Sequence, residues 1–337
     1  MSVPTQAALA DWRAAVAPFE KPSLRRSLLQ IATSVLPYLL LWVAMLFSLR
    51  VSYWLALALV LPAAGFLVRS FIICHDCGHG SFFRARWANR GVGFVTGLLT
   101  FLPSTGWSQE HARHHATSGD LDRRGGGDIW TLTVGEYRAL SRRRRLAYRL
   151  YRHPLVMLGL GPAYVFLLNY RFFHRNDSPK ARRSKLWTNL GLAVVALAMS
   201  LTVGIKAYLL LQLPVILIAG TVGIWLFYVQ HTFDGTYWAR GGRWDYLQQA
   251  LGGSSFYKLP RILQWFTGNI GYHHIHHLSP RIPNYFLERC HASSPLFRGV
   301  PPLTLRASFR SLQFRLWDER TGRLVGFGAL KAAGTPA

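Results

Sequence analysis

The chain has 337 residues, of which 50% are hydrophobic and only 16% are charged. This composition excludes an ordinary soluble protein and indicates an integral membrane protein. The net charge of +25 does not indicate a nucleic-acid-binding protein, because the basic residues flank apolar segments and form no recognition motif.

Four apolar segments are each close to the length of about 20 residues that a helix needs to cross the hydrocarbon core of a bilayer. They comprise residues 31–49, 53–73, 186–205 and 207–229. Only a few residues separate the first from the second and the third from the fourth. The sequence therefore predicts an all-α integral membrane protein with four transmembrane helices arranged in two hairpins.

Two shorter apolar stretches, residues 91–103 and 155–170, contain glycine and proline and are predicted to be interfacial or re-entrant helices. Arginines and lysines flank the second stretch on both sides, so both flanks belong to the cytoplasmic side under the positive-inside rule. The hairpin turns leave only Arg50 and Lys206 as candidate outer charges. We expect the basic flanks to contact an anionic lipid surface.

Eight of the thirteen histidines fall into three clusters, HDCGH, HARHH and HHIHH. Histidines three or four positions apart share one face of a helix, so each cluster can aim its imidazoles at one point. Neutral imidazole suits iron, copper, nickel and zinc, whereas magnesium and calcium prefer oxygen ligands. Eight histidines exceed what one ion uses, so the spacing predicts two nearby metal ions.

The clusters can share one metal site only if they lie on the same side of the membrane. In that case neither short apolar stretch crosses the membrane. The clusters then form a histidine-rich cap on the cytoplasmic face. We predict a cytoplasmic segment over residues 1–30, a membrane domain over residues 31–285 and a cytoplasmic tail over residues 286–337. Both termini are expected to be cytoplasmic, in the inner membrane of a bacterium.

In their order and spacing, the clusters resemble the histidine boxes H-x(3–4)-H, H-x(2–3)-H-H and [HQ]-x(2–3)-H-H of the membrane fatty acid desaturase family. The stretches FLPSTGWSQEHARHHATSGDLD and GNIGYHHIHHLSPRIPNY look like the omega-6, or Δ12-type, branch and its bacterial acyl-lipid relatives. The resemblance covers roughly residues 70–285.

The resemblance implies a di-iron centre that activates O2 with two electrons per turnover. Two hydrogens are then removed in succession from an acyl chain of a membrane lipid, giving a cis double bond and two waters. The family also has a ligand between the fourth span and the third box, where VQHTFDGTYW supplies one further histidine. The predicted ligands are His75, His79, His111, His114, His115, His231, His273, His276 and His277.

Several polar residues near the boxes are candidates to support the ligands from outside. Asp76 and Glu110 can accept the second N–H of an imidazole, although ordinary surface carboxylates remain an alternative. Asp128, Asp234 and Asn269 are similar candidates. His274 is displaced by one position from the H-x-x-H-H pattern and is assigned a supporting role. The histidines that match no box are expected to be structural or on the surface: His153, His174 and His291.

The sequence shows no His-Pro-Gly-Gly haem motif, no ferredoxin-type cysteine run and no dinucleotide-binding glycine fingerprint. We therefore expect a separate, ferredoxin-like electron donor. The alternative within the same chemistry is another membrane di-iron oxygenase: a hydroxylase, an alkane monooxygenase or a carotenoid ketolase. A metal transporter would carry its ligands within the spans, and a membrane scaffold would leave the histidine spacing unexplained.

Overall fold

The computed structural model describes residues 12–125 and 127–332. Residues 1–11 of the predicted N-terminal segment and the last five residues of the predicted tail lie outside the described residues. Both chain termini are therefore outside this description.

The first hairpin consists of helices α1 (Leu24–Leu49) and α2 (Tyr53–His79). Ser52 caps α2, because its side chain accepts a hydrogen bond from the amide of Trp54 at 3.2 Å. The helix α2 continues beyond the predicted end of the span, through the first histidine box. It ends at Gly80, whose φ of +70° lies in the left-handed region that glycine adopts without steric cost. The first box thus lies on the last turns of a spanning helix.

Four shorter helices follow the first hairpin: α3 (Arg86–Leu99), α4 (Ser104–Thr117), α5 (Val134–Ala139) and α6 (Arg142–Tyr151). Helix α3 contains most of the first short apolar stretch, and α4 carries the second histidine box. Both pack against α2. The chain between α2 and α4 thus returns the second box to the end of α2 that carries the first.

The second hairpin consists of α7 (Pro179–Thr202) and α8 (Ile205–His231), joined through Gly204 with a φ of +86°. Two short π-helical turns, Val156–Leu160 and Ala163–Asn169, precede it and pack against α8. Among the described residues, α1, α2, α7 and α8 are the helices long and apolar enough to cross a membrane, which confirms the predicted four spans.

Polar contacts tie the two hairpins together inside the apolar layer. The hydroxyl of Tyr38 and the indole N–H of Trp42, both on α1, donate to Oε1 of Gln212 on α8 at 3.1 and 2.9 Å. All three side chains are buried. Because the cost of an unpaired polar group is high in an apolar interior, these bonds fix α1 against α8.

The remaining chain forms a cap at one end of the spanning helices. Its α-helices are α9 (Tyr246–Gly252), α10 (Arg261–Phe266), α11 (His273–Leu278), α12 (Asn284–Ser293), α13 (Pro295–Arg298), α14 (Leu305–Ser308) and α15 (Ala329–Ala332). Short 3₁₀ helices are formed by Ala17–Phe19, Gly241–Arg243 and Phe309–Gln313. Helix α11 carries the third histidine box.

In the part of the chain that the structure describes, five short strands complete the cap: β1 (Leu132–Thr133), β2 (Phe256–Lys258), β3 (Pro302–Thr304), β4 (Leu316–Asp318) and β5 (Arg323–Val325). Strand β4 pairs in parallel with β1 and antiparallel with β5, and β2 pairs in parallel with β3. The segment after residue 285, predicted as a tail, is thereby bonded into the cap through β3 and β4.

Candidate metal centre

Four helices bring the nine predicted ligands into one cluster. The first box lies at the end of α2, the second on α4, and the third on α11, while His231 is the last residue of α8. Seven of the nine side chains are buried, and His79 and His231 are half-buried. The cluster therefore lies where both hairpins end and the cap begins.

The histidines divide into two groups of four, within each of which one ligand nitrogen per residue lies within 4.8 Å of the others. One group is His75, His79, His111 and His276, and the other is His114, His231, His273 and His277. The ninth histidine, His115, has its Nε2 atom 3.2 Å from Nε2 of His111 and 2.9 Å from Nε2 of His276. It lies against the first group.

The distances between the nitrogens fit ligands that converge on cations. Nε2 of His231 is 3.0 Å from Nε2 of both His114 and His273, and Nε2 of His111 is 3.1 Å from Nε2 of His75. Two nitrogens bound at right angles, each at about 2.1 Å from one metal ion, lie roughly 3.0 Å apart. Buried Nε2 atoms of His79 and His277 have no hydrogen-bond partner among the described residues. The donor set therefore fits two transition-metal ions.

Burial favours the neutral form of five rings on α4 and α11. It lowers the pKa of His111 and His115 well below the usual range of imidazole, and the neighbouring histidines lower it further. The same two causes lower the pKa of the third-box residues His273, His276 and His277. Because a metal binds the unprotonated nitrogen, these five rings are already in the binding form at neutral pH.

Two carboxylates accept hydrogen bonds from the outward-facing Nδ1 atoms of two rings. Oδ1 of Asp128 lies 2.5 Å from Nδ1 of His114, and Oδ1 of Asp76 lies 2.9 Å from Nδ1 of His75. Asp76 is itself held by Asn284, whose backbone amide and side-chain amide donate to Oδ2 at 2.7 and 2.8 Å. Such contacts place the proton on Nδ1 and leave Nε2 free to bind a metal.

The other supporting candidates make no hydrogen bond to the nine rings among the described residues. Nε2 of His274 lies 3.0 Å from Nδ1 of His291, and no hydrogen bond joins Glu110 or Asp234 to an imidazole among the described residues. Burial raises the pKa of the Glu110 carboxyl. Asn269 reaches Asp76 only indirectly, since its side-chain amide donates to the backbone oxygen of Asn284 at 3.5 Å.

Three aromatic residues that the sequence analysis did not single out lie against the cluster. Each comes four residues before the first histidine of its helix: Phe71 before His75, Trp107 before His111 and Phe227 before His231. The Trp107 ring stacks on His111 with centroids 4.5 Å apart, and Phe71 meets Trp107 at 5.3 Å. The Phe227 ring lies 4.9 Å from His114. We call these three rings the aromatic layer. The four-residue spacing was the available signal.

Comparison with known proteins yields one family. Residues 52–299 match the family model described as fatty acid desaturase. A fatty acid desaturase of Bacillus subtilis (strain 168) is 52% identical over 316 residues, covering 94% of this chain and 90% of the relative. The sn-1 oleoyl-lipid 12-desaturase of Synechocystis is 27% identical over 79% of this chain and 76% of its own length. The sn-1 acyl-lipid omega-3 desaturase (ferredoxin) of Nostoc is 26% identical over 64% of this chain and 61% of its own length.

Proposed function

The chain belongs to the fatty acid desaturase family, and we propose that it introduces a cis double bond into the acyl chain of a membrane lipid, using O2 and electrons from a separate donor. The protein is thus an enzyme of the oxidoreductase class. The observation that carries the proposal is the pair of four-histidine groups at one end of four membrane-spanning helices.

The nine histidines are the proposed ligands of two iron ions, with His115 completing the group that contains His111 and His276. When bound, iron supplies the oxidising chemistry that an unactivated methylene requires, which no acidic or basic side chain can supply. Imidazole nitrogens suit a redox-active transition metal, and neither group contains a carboxylate. Asp76 and Asp128 orient His75 and His114 through their Nδ1 atoms.

The protein's other task is to place the acyl chain. The aromatic layer presents an apolar surface beside both histidine groups, with Phe71 and Phe227 on the spanning helices α2 and α8 and Trp107 on α4. An acyl chain that contacts these rings would hold one carbon pair near the irons, and such positioning lowers the barrier by removing orientational freedom before the reaction.

The proposed lipid substrate and electron donor are supported by the names of the relatives and by the location of the site. Relatives from Synechocystis and Nostoc are named for acyl-lipid substrates, and the latter also for ferredoxin. A lipid substrate reaches a site at the ends of spanning helices from the bilayer. We place the boxes and both termini on the cytoplasmic side of a bacterial inner membrane, with the basic flanks of residues 155–170 against anionic lipid. The positive-inside rule supports this orientation.

The domain division is proposed as stated from the sequence, with the membrane domain over residues 31–285 as the catalytic unit. Residues 1–30 are the proposed cytoplasmic N-terminal segment, and residues 286–337 are the proposed cytoplasmic C-terminal tail.

The test is expression in a bacterium that lacks polyunsaturated lipids, followed by analysis of fatty acid methyl esters with location of the double bond. Cells with the wild-type protein should gain a cis-unsaturated fatty acid, and this product should disappear under anoxia. Cells with His277→Ala should not form it. Accumulation of a hydroxylated or keto product in place of the alkene would assign the protein to an oxygen-inserting activity.

A further inference from the structure

Arg69 is the only charged residue within the four apolar segments that are predicted to span the membrane. It lies on α2, shortly before the first histidine box. No ion pair involves Arg69 in the part of the chain that the structure describes. Because an unpaired charge within a spanning segment is costly, such a residue indicates a functional site, and the metal centre does not account for it.

The guanidinium of Arg69 is bound by the protein at one edge only. Its Nη1 atom donates to the backbone oxygen of Trp265 near the end of α10, and its Cζ atom lies 4.0 Å from the centroid of the Trp265 ring. This contact satisfies one terminal carbonyl of a short helix. The buried Nε atom has no hydrogen-bond partner among the described residues, and Nη2 takes part in no hydrogen bond among them either. The protein therefore leaves part of this guanidinium unsatisfied.

The position of Arg69 along α2 fits the boundary of the hydrocarbon layer. Tyr53 and Trp54 begin the helix and are exposed, as is typical of aromatic residues at a membrane interface. Arg69 lies about 24 Å from Tyr53 along the helix axis, at about 1.5 Å per residue. Because the hydrocarbon core is about 30 Å thick, Arg69 lies near its boundary on the side of the cap. Lipid phosphates lie just beyond this boundary, within reach of a long basic side chain.

Helix α10 places an apolar surface beside Arg69, because it packs against α2. The Phe266 ring lies so close to Gly65 of α2 that a Cβ atom on Gly65 would be 2.9 Å from Cδ1 of the ring. Gly65 precedes Arg69 by one helical turn, so α10 lies alongside the apolar part of the span. Three apolar side chains of α10 stay exposed: Ile262, Leu263 and Trp265. A group of exposed apolar side chains at this depth indicates contact with lipid.

We propose that Arg69 and α10 form a binding site for one phospholipid of the leaflet on the cap side, with the lipid phosphate bound by the Arg69 guanidinium and an acyl chain packed along Ile262 and Leu263. The site is independent of the proposed function, because its occupation requires neither iron nor turnover. A phosphate oxygen accepts hydrogen bonds from the unsatisfied guanidinium and neutralises its charge. The indole of Trp265 covers the guanidinium and keeps it at the membrane interface.

Occupation of the site should stabilise the segment that leads into the third histidine box. This segment, residues 267–272, follows α10 directly and ends at His273. Gly268 within it packs against α2, since a Cβ atom on Gly268 would lie 2.8 Å from Cγ2 of Ile72. A lipid that holds Arg69 against Trp265 thus limits the motion of the chain between α10 and the third box.

A phospholipid suits this site better than a free phosphate ion or an uncharged lipid. Arg69 keeps only 9% of its surface accessible, and the exposed side chains of α10 beside it are mostly apolar. A free ion gains little from these side chains, because it has no apolar part to bury against them. An uncharged lipid buries its chains there but leaves the guanidinium without an anion.

The first experiment measures the melting temperature of the detergent-solubilised, full-length protein with dioleoyl phosphatidylglycerol, with a glucosyl diacylglycerol that has the same chains, or with inorganic phosphate. Phosphatidylglycerol should raise the melting temperature of wild type by about 4 °C, because it binds the folded state. Each of the other additives should raise it by less than about 1 °C. Arg69→Met should lose the phosphatidylglycerol shift, whereas Lys206→Met, at the start of α8, should retain it.

Two outcomes of this comparison would overturn the inference. If Arg69→Met melts at a lower temperature than wild type but keeps the full phosphatidylglycerol shift, then Arg69 only caps the end of α10. If the glucosyl lipid or inorganic phosphate gives the same shift as phosphatidylglycerol, then the site does not recognise a phospholipid.

The second experiment uses the wild-type protein alone, so it does not depend on the folding of a variant. Amide hydrogen exchange is compared between protein with phosphatidylglycerol and protein with the glucosyl lipid. Residues 261–272 should exchange at least about threefold more slowly with phosphatidylglycerol, while the residues of strand β5 should exchange at the same rate in both lipids. Equal exchange of residues 261–272 in the two lipids would contradict a phosphate site at Arg69.

Discussion

Oδ1 of Asp128 lies 2.5 Å from Nδ1 of His114, although 14 positions separate the two residues in the chain. The carboxylate comes from the loop that follows α4 and turns back onto the helix. It fixes both the tautomer and the orientation of a ring whose Nε2 atom lies 3.0 Å from that of His231.

Replacing this carboxylate should weaken the metal centre without dismantling the fold. Asp128→Asn is expected to lower iron affinity or activity about 10-fold to 100-fold, the usual effect of losing an acceptor behind a metal-binding imidazole. Iron content and turnover of purified protein are the measurements. Asp234→Asn, which changes an exposed carboxylate without an imidazole contact, should behave like wild type. Equal effects of the two substitutions would remove Asp128 from the metal centre.

Substitution of Asp76 should harm the protein more than substitution of Glu110. Asp76 lies within the first histidine box, and Glu110 directly precedes the second. Asp76 contacts His75 and two nitrogens of Asn284, so Asp76→Asn disturbs a ring and the start of α12 together. We expect lower iron content and a lower melting temperature. Glu110→Gln should change neither by more than experimental error. Wild-type behaviour of Asp76→Asn would contradict this assignment.

Metal content separates the nine clustered histidines from the others. The protein purified in mild detergent should hold about two irons per chain, because it offers two four-nitrogen groups. His114→Ala or His276→Ala should lower both iron and activity. His291→Ala should lower neither, since that ring contacts His274 and no histidine of either group. An active preparation with stoichiometric zinc and no iron would defeat the prediction.

The aromatic layer should influence which carbons are desaturated. Trp107→Ala removes a ring that covers His111 and opens space for the acyl chain to shift along the site. The expected result is a new positional isomer of the double bond at nearly unchanged iron content, measured by mass spectrometry of the fatty acids. Trp187→Ala, on the exposed surface of α7, is the control. A slower enzyme with an unchanged isomer pattern would show that Trp107 does not position the chain.

The four-span arrangement predicts labelling from the two sides of the membrane. Single cysteines at positions 145 and 180 should react from the same side, and cysteines at positions 50 and 206 from the other. The three native cysteines are buried, so background labelling should be low. Modification of positions 145 and 180 from opposite sides would require an additional crossing between them.

Much of the fold could be predicted from the sequence because its strongest signals are local. A run of about 20 apolar residues indicates a spanning helix wherever the chain goes afterwards, and all four such runs form spanning-length helices. Histidines spaced by three or four residues indicate one shared helical face. The helix ends were less predictable, because α2 continues through the first box until Gly80 allows a left-handed turn.

Contacts between distant segments could be identified only from the tertiary structure. The boxes specify which histidines converge, but not that His276 joins the first box while His273 and His277 join His231. Nor does sequence spacing separate Asp128, which contacts His114, from Asp234, which has no hydrogen bond to an imidazole within the described residues. The pairing of Trp238 with Trp317 depends on the strand β4, which arrives from the far end of the chain.

The sequence by itself thus determined the spans, the family resemblance and the identity of the clustered histidines, because periodicity and composition act over a few turns of helix. Only the tertiary structure decided how nine rings divide into two groups, which carboxylates hold them and which aromatic rings lie against them. Those relationships arise from packing between segments far apart in the chain, and no local propensity encodes them.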